Sequence, residues 1–445
     1  MQYISYEKYK PARLEWIDVI PQHWDITRLR LLSKRYSGGT PSKDNQAYWQ
    51  DGTIPWLNSG AVNQGMITRP STYITDLGLK ESSAKWIPKK AIIIALAGQG
   101  KTKGTTAYTT FKTTCNQSMG VVVFEKDHPK FMYWWLTSQY KNIRGLASDD
   151  GRDGLNLEML GTIPCPLPSI DEQKQIATFL DYKTRQIDLL INKKKDLINK
   201  LEEKRLAMIT QAVTKGINKD VNFNHSGKEW LGDKPESWKC SYLKHFSLIY
   251  DCKHLTAQFV DDGYSLASIA EVKGWYVDLT TSKKTTYEYY HDLIAGERKP
   301  KAGDIIYSRN ATVGEAAIVS KNTPDFAMGQ DVCLIRASDL LLPEFLMYVL
   351  NSKLILQQLD LLMVGSTFKR INVNDIKNFT LLIPPIEEQK QIIDYLIEVE
   401  NKSQSMALKA SEAFRRLEEY KTALITSAVT GQIDVRNIDI PKGLV

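Results

Sequence analysis

One phrase occurs twice in this sequence, and the spacing that follows it is the same in both copies. Residues 172–176 (EQKQI) recur as residues 388–392, and residues 212–214 (AVT) recur as residues 428–430, both at an offset of 216 residues. Loops tolerate insertions and deletions readily. A long span without any length change therefore indicates one continuous helix in each copy.

The residues inside each copy agree with a helix. Prolines precede Ser169, which can cap a helix, acidic residues fill the first turn, and Gly216 follows the last turn. The sequence predicts helices over residues 170–215 and from about 386 to 430, and the first would be roughly 69 Å long at 1.5 Å per residue. Apolar residues at seven-residue spacing predict a coiled-coil-like seam. The residues predicted to pair the helices are Ile176, Leu180, Ile187, Leu201, Met208, Ile392, Leu396, Leu417 and Leu424.

The repeat extends beyond the helices. The segment that begins at Glu15 matches the segment that begins at Glu229 at an offset of 214 residues, with both tryptophans shared, and FMYWWLTS at Phe131 is echoed by FLMYVLNS at Phe345. Between these landmarks the two halves have diverged. We predict seven segments: an N-terminal framework segment (1–24), a first globular domain (25–165), a central helical region (166–216), a linker (217–238), a second globular domain (239–380), a C-terminal helical region (381–431) and a tail (432–445).

Composition limits the class of protein. A chain of 445 residues with 42% hydrophobic residues can form two cored domains. Five scattered cysteines without a CxxC pair favour reduced thiols and a cytoplasmic location. No signal peptide is predicted, and the longest apolar stretch is interrupted by Pro343, Glu344 and Lys353, which argues against a membrane span.

The net charge of +7 is distributed unevenly. Residues 25–165 contain 18 Lys and Arg against 11 Asp and Glu, whereas residues 239–380 contain 16 of each. A basic domain suits the phosphates of nucleic acid, although many basic proteins bind no polyanion. In the neutral domain, phosphate contacts would have to come from local clusters such as ERKPK at 297–301 and STFKR at 366–370. Each cluster could equally be a solvated turn.

The segment ALAGQGKT, residues 95–102, satisfies a relaxed phosphate-loop pattern, with Lys101 and Thr102 in the nucleotide-binding positions. A phosphate loop must open a helix, yet the residues that follow are rich in Thr and aromatics, which favours a strand. The corresponding segment of the second half, DIIYSRNATVGEAAIV, keeps a glycine (Gly314 against Gly104) but has no Gly-Lys pair. Nucleotide binding is therefore not predicted.

Catalytic equipment is not evident in the sequence. The six histidines are scattered without metal-ligand spacing, and neither GxSxG nor HExxH occurs. EVKG at Glu271 resembles the end of a nuclease motif, but the first half has no equivalent. Two diverged copies without a shared reactive group predict a non-catalytic protein without a cofactor or a metal site.

Three segments of the sequence together resemble a known protein family. GGTPSKDNQAYWQDGTIPWLNSGAVNQG from Gly38, IPCPLPSIDEQKQIATFLD and the second copy LLIPPIEEQKQIIDYL resemble the specificity subunit of Type I restriction-modification enzymes. The resemblance covers essentially the whole chain. It implies an α/β fold class: two α/β target recognition domains joined by two long antiparallel coiled-coil helices in a pseudo-twofold tandem repeat. One departure is the neutral charge of the second domain, which bears on how strongly that domain binds DNA alone.

The resemblance also implies a function and partners. Each recognition domain would read one half of a split target in double-stranded DNA, and the helices would set the spacing between the halves. Two methyltransferase (modification) subunits and two motor-nuclease (restriction) subunits would join the complex, and catalysis would belong to them. A repeated framework lets two identical partners bind equivalent surfaces of one chain. Two other functions remain open: a stand-alone, two-headed DNA-binding regulator, and a nucleotide hydrolase built on Lys101.

Recognition domains combine phosphate anchors with a few residues that contact base edges. We expect these residues in loops, with Arg309 and Arg370 as guanine readers or phosphate clamps and Asn310 as an adenine reader. Trp56 and Trp275 are expected to be core aromatics. The residues predicted to contact DNA are Gly38, Gly39, Thr40, Ser42, Gln99, Lys101, Lys103, Thr105 and Arg152 in the first domain, and Arg298, Lys299, Lys301, Ser308, Arg309, Asn310, Thr312, Thr367, Lys369 and Arg370 in the second.

Overall fold

The computed structural model of the chain describes residues 3–14, 16–98, 100–147, 154–310, 313–363 and 370–441. The chain divides into two compact units. The first unit comprises Met1–Lys194 and Glu412–Val445, and the second comprises Lys195–Ser411. Each of the two long helices therefore contributes one of its ends to each unit.

The first unit combines four sheets with helices. Its described strands form an antiparallel pair β1-β2, an antiparallel pair β3-β12, a five-stranded sheet in the order β4-β11-β8-β9-β6 and a three-stranded sheet in the order β10-β5-β7. The strands are β1 (Tyr9–Leu14), β2 (Ile17–Pro21), β3 (Asp25–Arg28), β4 (Ser33–Ser37), β5 (Ile54–Leu57), β6 (Met66–Ile67), β7 (Thr72–Ile74), β8 (Ile92–Ala95), β9 (Thr106–Thr109), β10 (Thr114–Cys115), β11 (Met119–Phe124) and β12 (Pro164–Leu167). The helices are α1 (Leu29–Leu32), α2 (Asp76–Lys80), α3 (Pro129–Ser138), α4 (Tyr140–Gly145), α5 (Leu157–Gly161) and α6 (Ile170–Lys215), with short 3-10 helices at Gln46–Tyr48 and Ser59–Gln64.

The second unit repeats this plan with different loops. Its described strands form the antiparallel pairs β13-β14 and β15-β24 and two four-stranded sheets in the orders β16-β23-β20-β21 and β17-β19-β18-β22. The strands are β13 (Phe223–His225), β14 (Asp233–Pro235), β15 (Lys239–Tyr242), β16 (Ser247–Asp251), β17 (Phe259–Val260), β18 (Tyr264–Ala267), β19 (Lys284–Thr285), β20 (Ile305–Ser308), β21 (Ala316–Ile318), β22 (Phe326–Met328), β23 (Val332–Ala337) and β24 (Thr380–Ile383). The helices are α7 (Tyr287–Ile294), α8 (Pro343–Leu350), α9 (Lys353–Met363), α10 (Val373–Lys377) and α11 (Ile386–Val429), with a 3-10 helix at Leu243–His245.

Each globular domain is closed where the chain enters and leaves it. In the first unit β3 pairs antiparallel with β12, and in the second unit β15 pairs antiparallel with β24. These pairs lie at the ends of the two predicted domains. The predicted α/β class with repeated domains and two long helices is confirmed.

The long helices have the predicted bounds to within one residue. Helix α6 spans 46 residues from Ile170 and α11 spans 44 residues from Ile386. Ser169 caps α6 as predicted, because its side-chain oxygen accepts a hydrogen bond from the backbone N–H of Glu172 at 3.3 Å. Glycine follows the last turn at Gly216, where φ is +78°, a value that favours glycine.

In the first unit, the N-terminal part of α6 packs against the C-terminal part of α11. Ile176, Leu180 and Ile187 are buried in the same core cluster as Leu424, and Leu417 packs at its edge. Lys421 of α11 donates hydrogen bonds to both carboxylate oxygens of Asp188 of α6, at 2.6 and 2.8 Å.

In the second unit, the C-terminal part of α6 packs against the N-terminal part of α11. Ile392 and Leu396 are fully buried, whereas Leu201 and Met208 are half-buried, and the buried residue of α6 at this level is Ile209. A straight helix drifts by about 20° per heptad against a strict seven-residue repeat. The drift explains why the buried face moves from the position of Met208 to that of Ile209.

The repeated Glu-Gln pair joins each long helix to its globular domain. The Gln173 side chain is 1% exposed; its carbonyl accepts a hydrogen bond from the His128 N–H at 2.8 Å, and its amide donates to the Pro168 carbonyl and to Asp127, both at 3.1 Å. Because His128 precedes the first residue of α3, Gln173 fixes the start of that helix.

The second unit repeats this joint. Gln389 is fully buried, accepts from the Leu342 N–H at 2.9 Å and donates to the carbonyls of Leu340 and Pro384 at 2.9 Å each. Leu342 immediately precedes α8, as His128 precedes α3. One side chain in each unit thus connects the helix start, the proline-rich lead into the long helix and the long helix itself.

The glutamate of the phrase holds the shared tryptophan. The Trp24 indole N–H donates to Glu172 at 3.1 Å, and the Trp238 indole N–H donates to Glu388 at 2.9 Å. Glu172 also accepts from the Tyr6 hydroxyl, and burial together with this carboxylate raises the pKa of Tyr6. Both tryptophans are almost completely buried, so these joints are internal parts of each unit.

The C-terminal tail completes the first unit. The Gln175 amide donates to the carbonyls of Val435 and Ile438 at 3.2 and 2.9 Å, and the Asp434 N–H donates to the Ile4 carbonyl at 2.7 Å. Val435 is fully buried. The first and last segments of the chain therefore belong to one core.

Candidate nucleic-acid interface

The first globular domain contains an open cleft of about 460 Å³ where the parallel strands β5 and β10 end. Thr40, Asn58 and Gln117 line the cleft, together with Lys43 and Trp49. The Thr40 hydroxyl donates a hydrogen bond to the Gln117 carbonyl oxygen at 2.5 Å. The cleft thus presents polar side chains on loops whose positions are fixed by the ends of two strands.

Close packing explains the glycines beside this cleft. A Cβ atom on Gly38 would lie 2.1 Å from the Cys115 carbonyl oxygen, and one on Gly39 would lie 2.3 Å from Ser83. The Gly39 carbonyl accepts from the Trp56 indole at 3.1 Å, and the Ser42 carbonyl accepts from the Trp49 indole at 2.9 Å. The backbone of this predicted loop therefore holds Trp49 and Trp56, which line the cleft.

The second globular domain contains a cleft of about 430 Å³ where the parallel strands β18 and β22 end. Thr256, Glu271 and Gln330 line it, with apolar side chains that include Phe259. The Gln330 amide donates to the Thr256 hydroxyl at 3.2 Å. Asp331, also on the cleft, lies 3.6 Å from the Arg370 guanidinium. A β-bridge pairs Arg370 with Asn310, so the structure brings these two predicted residues to the edge of this cleft.

The phosphate-loop-like segment does not open a helix. It leads from β8 into the antiparallel strand β9, which confirms the strand expected after it. The Lys101 carbonyl accepts from the hydroxyls of Thr105 and Tyr140 at 2.8 and 2.9 Å, and Lys103 is 8% exposed. The predicted residues Lys101, Lys103 and Thr105 thus lie in a turn that packs on α4, apart from the cleft-lining Thr40.

Arg309 lies inside the second domain. It is 3% exposed, and its guanidinium lies 2.7 Å from the Asp251 carboxylate and 3.7 Å from the Cys252 sulfur. Ser308 is fully buried as well. In this conformation neither side chain is presented to a ligand. Ser308 is buried, and Arg309 is held by Asp251 at the end of β16.

The ERKPK cluster is held by acidic and backbone partners. Arg298 donates to the Asp251 carbonyl at 2.9 Å, Lys299 lies 2.7 Å from Asp325, and the ammonium of Lys301 lies 3.6 Å from Glu297. These exposed lysine pairs are readily broken. The cluster remains a prediction, as do the other DNA contacts. The predicted residues Gln99, Arg152, Thr312, Thr367 and Lys369 lie outside the described residues.

Sequence reasoning missed the cleft residues Gln117 and Gln330. Strand register shows that they are equivalent: each is the second residue after a short strand that pairs parallel with β5 or β18. They are 213 residues apart, whereas the framework repeats at 214 and 216. When the two halves of the sequence are aligned at an offset of 214, Gln117 is aligned with Asp331 instead of Gln330, so the sequence alone does not show the match.

Trp56 lies in a core cluster and also lines the first cleft, whereas Trp275 packs against the edge of a core. Trp56 is 6% exposed in a core cluster with Ile54 and Ile74, and Trp275 is half-buried with its ring centroid 4.8 Å from that of Tyr348.

Within the described ranges, no group of three or more His, Cys, Asp or Glu residues has the arrangement of a metal site. No helix in the same ranges combines the length and the apolar character needed to cross a bilayer.

The fold and the paired clefts agree with a family relationship. Residues 21–202 and 268–412 match the family described as the Type I restriction modification DNA specificity domain, and this chain belongs to that family.

Curated relatives match along most of their length. The Type I restriction enzyme MjaVIII specificity subunit of Methanocaldococcus jannaschii is 22% identical, over 94% of this chain and 95% of the relative. The EcoKI specificity subunit of Escherichia coli is 20% identical, over 93% and 90%.

Solved structures share the fold. The HsdS subunit from Thermoanaerobacter tengcongensis aligns with a TM-score of 0.53 at 17% identity, over 93% of this chain and 98% of that one. A chain from a study of complex assembly in the type I R-M system aligns with a TM-score of 0.72 at 17% identity, over 93% and 99%.

Proposed function

We propose that this chain is the non-catalytic subunit that gives a Type I restriction-modification complex its DNA sequence specificity. Each globular domain reads one half of a bipartite double-stranded target, and the long helices set the spacer between the halves. The observation that carries the proposal is a contrast within the chain. In both joints, at Gln173 and at Gln389, the side chain accepts from the N–H before a helix and donates to the carbonyl of the proline lead, while the clefts they support have different linings.

This contrast suits a chain in which one repeated framework carries two domains that recognise different DNA sequences. A joint that is the same in both units holds each domain in a defined position on its helix. The side chains differ between the two clefts, mostly polar with two tryptophans in the first and largely aliphatic in the second, which suits different base sequences.

The repeated framework also suits two copies of one methyltransferase partner. Trp16 and Trp230 occupy the loops that connect β1 to β2 and β13 to β14, and they remain 39% and 44% exposed. Exposed tryptophans at equivalent positions are typical anchors of protein interfaces. The two motor-nuclease subunits would complete the cleaving complex, and the catalytic groups would belong to these partners.

Domain replacement tests the proposal. Residues 25–165 are replaced with the corresponding domain of a relative, and the chain is expressed with its methyltransferase subunit. Sequencing of methylated adenines in the host genome should show one half of the target changed and the other half retained. A change in both halves would refute independent reading.

A stand-alone regulator predicts a different result. That alternative requires tight, sequence-specific binding by the isolated chain. Binding measured with and without the methyltransferase subunit at the same salt concentration separates the two functions. Equal affinity in both samples would favour the regulator.

A further inference from the structure

Both globular domains place a glutamine at the same structural position. After β10, the Asn116 N–H donates to the Leu57 carbonyl at 3.0 Å, and after β22 the Gly329 N–H donates to the Ala267 carbonyl at 2.7 Å. The next residue is Gln117 in the first domain and Gln330 in the second. The residue after each glutamine returns to the central sheet, where its carbonyl accepts a backbone hydrogen bond.

Each glutamine is held by a threonine from a different loop. Thr40 follows β4 and contacts Gln117, and Thr256 follows β16 and contacts Gln330. Both glutamine side chains are exposed on the cleft. Recurrence of the same pair in domains whose loops have diverged indicates a requirement shared by both clefts.

We propose that Gln117 and Gln330 are the equivalent base readers of the two domains, each contacting an adenine through the major groove. The inference rests on the proposed function and adds the residue and the base. A carboxamide can accept from adenine N6 and donate to adenine N7 at the same time. Its oxygen has two lone pairs and its nitrogen has two hydrogens, so one hydrogen bond to threonine leaves both contacts available.

The surroundings of each glutamine suit a base pair in different ways. Beside Gln117, Lys43 supplies a positive charge for the backbone phosphates, and the Asn116 side-chain oxygen is buried without a hydrogen-bond partner among the described residues. Beside Gln330, Leu255 and Phe259 supply apolar surface of the kind that contacts the thymine methyl group. The Lys283 ammonium lies 4.4 Å from the Phe259 ring centroid, which places a cation at the rim of this cleft.

Selection from a randomised duplex DNA library tests the inference. The full chain is used in complex with its methyltransferase subunit, and bound duplexes are sequenced. Gln117→Ala should reduce the preference for adenine at one position of one half-site by roughly 5- to 150-fold, the range for a lost bidentate contact. Gln330→Ala should do the same in the other half-site only. Because both side chains are exposed, the variants should fold, and the untouched half-site is the internal control.

Three further variants separate base reading from general binding. Gln117→Glu should shift the preference at the same position towards cytosine, since a carboxylate accepts from cytosine N4. Lys43→Ala should weaken binding to all sequences alike and lower the salt dependence by about one phosphate contact. Gln50→Ala, an exposed glutamine of the first domain outside the cleft, should change neither property.

The outcomes are distinct. If the wild-type complex selects a split sequence and both glutamine variants select it with unchanged preference, the inference is refuted and the proposed function stands. Uniform weakening without loss of preference at one position would also refute it, because that is the effect of a phosphate contact. If the wild-type complex selects no split sequence, the proposed function fails, and the inference fails with it.

Discussion

Replacing the buried glutamine of one joint should loosen one unit only. Gln173→Leu removes three hydrogen bonds, to the half-buried His128 and Asp127 and to the buried Pro168 carbonyl. At about 1 kcal/mol net for each bond, the two bonds to Asp127 and His128 contribute about 2 kcal/mol at the start of α3. Since every 1.4 kcal/mol corresponds to about a tenfold change in an equilibrium constant, amide protection in α3 should fall by roughly 25-fold.

Hydrogen–deuterium exchange measured on the full chain reports each unit separately. Gln173→Leu should increase exchange in peptides that cover residues 126–138, and Gln389→Leu should do so in residues 340–350. Gln391→Leu is a matched control, because Gln391 belongs to the same phrase but is exposed. Unchanged protection in α3, or an equal loss in both units, would refute the role assigned to Gln173.

Changes to the C-terminal tail, the cysteines, Arg309 and the length of α6 should have four distinct effects. Truncation after Gly431 should destabilise the first unit by about 3 kcal/mol in a denaturant titration, because it exposes the site of buried Val435, and an unchanged transition would contradict this. Burial raises the pKa of all five cysteine thiols, but Cys240 is partly exposed whereas the other four are buried, so iodoacetamide at neutral pH should label Cys240 first, as mass spectrometry would show. Arg309→Ala should lower the unfolding free energy of the second unit by about 2 kcal/mol, since it removes the cation beside Asp251. Wild-type stability together with an altered base preference would instead support the prediction that Arg309 contacts a base. Inserting one heptad after Lys200 should lengthen α6 by roughly 10 Å and widen the spacer by up to roughly three base pairs without changing the half-sites, which methylome sequencing would detect.

The sequence predicted the long helices well because their length is constrained. An uninterrupted repeat excludes loops, and Ser169 and Gly216 mark the ends of the first helix by their backbone preferences. The buried face of the second half of α6 was less predictable. The choice between Met208 and Ile209 depends on how far the helix departs from a strict seven-residue period, and that departure follows from packing.

The candidate site was predicted only in part. Thr40 and Arg370 do lie at the clefts, because glycine-rich and basic loops tend to be exposed. The burial of Arg309 depends on Asp251, which the register of β16 against β23 brings beside it. Strand register is a property of tertiary pairing, and a shift of one residue in the loops was enough to hide the equivalence of Gln117 and Gln330.

The twin joints have an evolutionary consequence. Since Gln173 and Gln389 both bind the N–H before a helix and the carbonyl of the proline lead, a gene segment copied between the two halves, or from a relative, brings a domain that can form the same two contacts. Recombination within the repeated phrase would preserve the helix on one side and the domain on the other. New target specificities can then arise by exchange of a whole domain in a single event. A series of point mutations, by contrast, would first weaken recognition of the old target sequence.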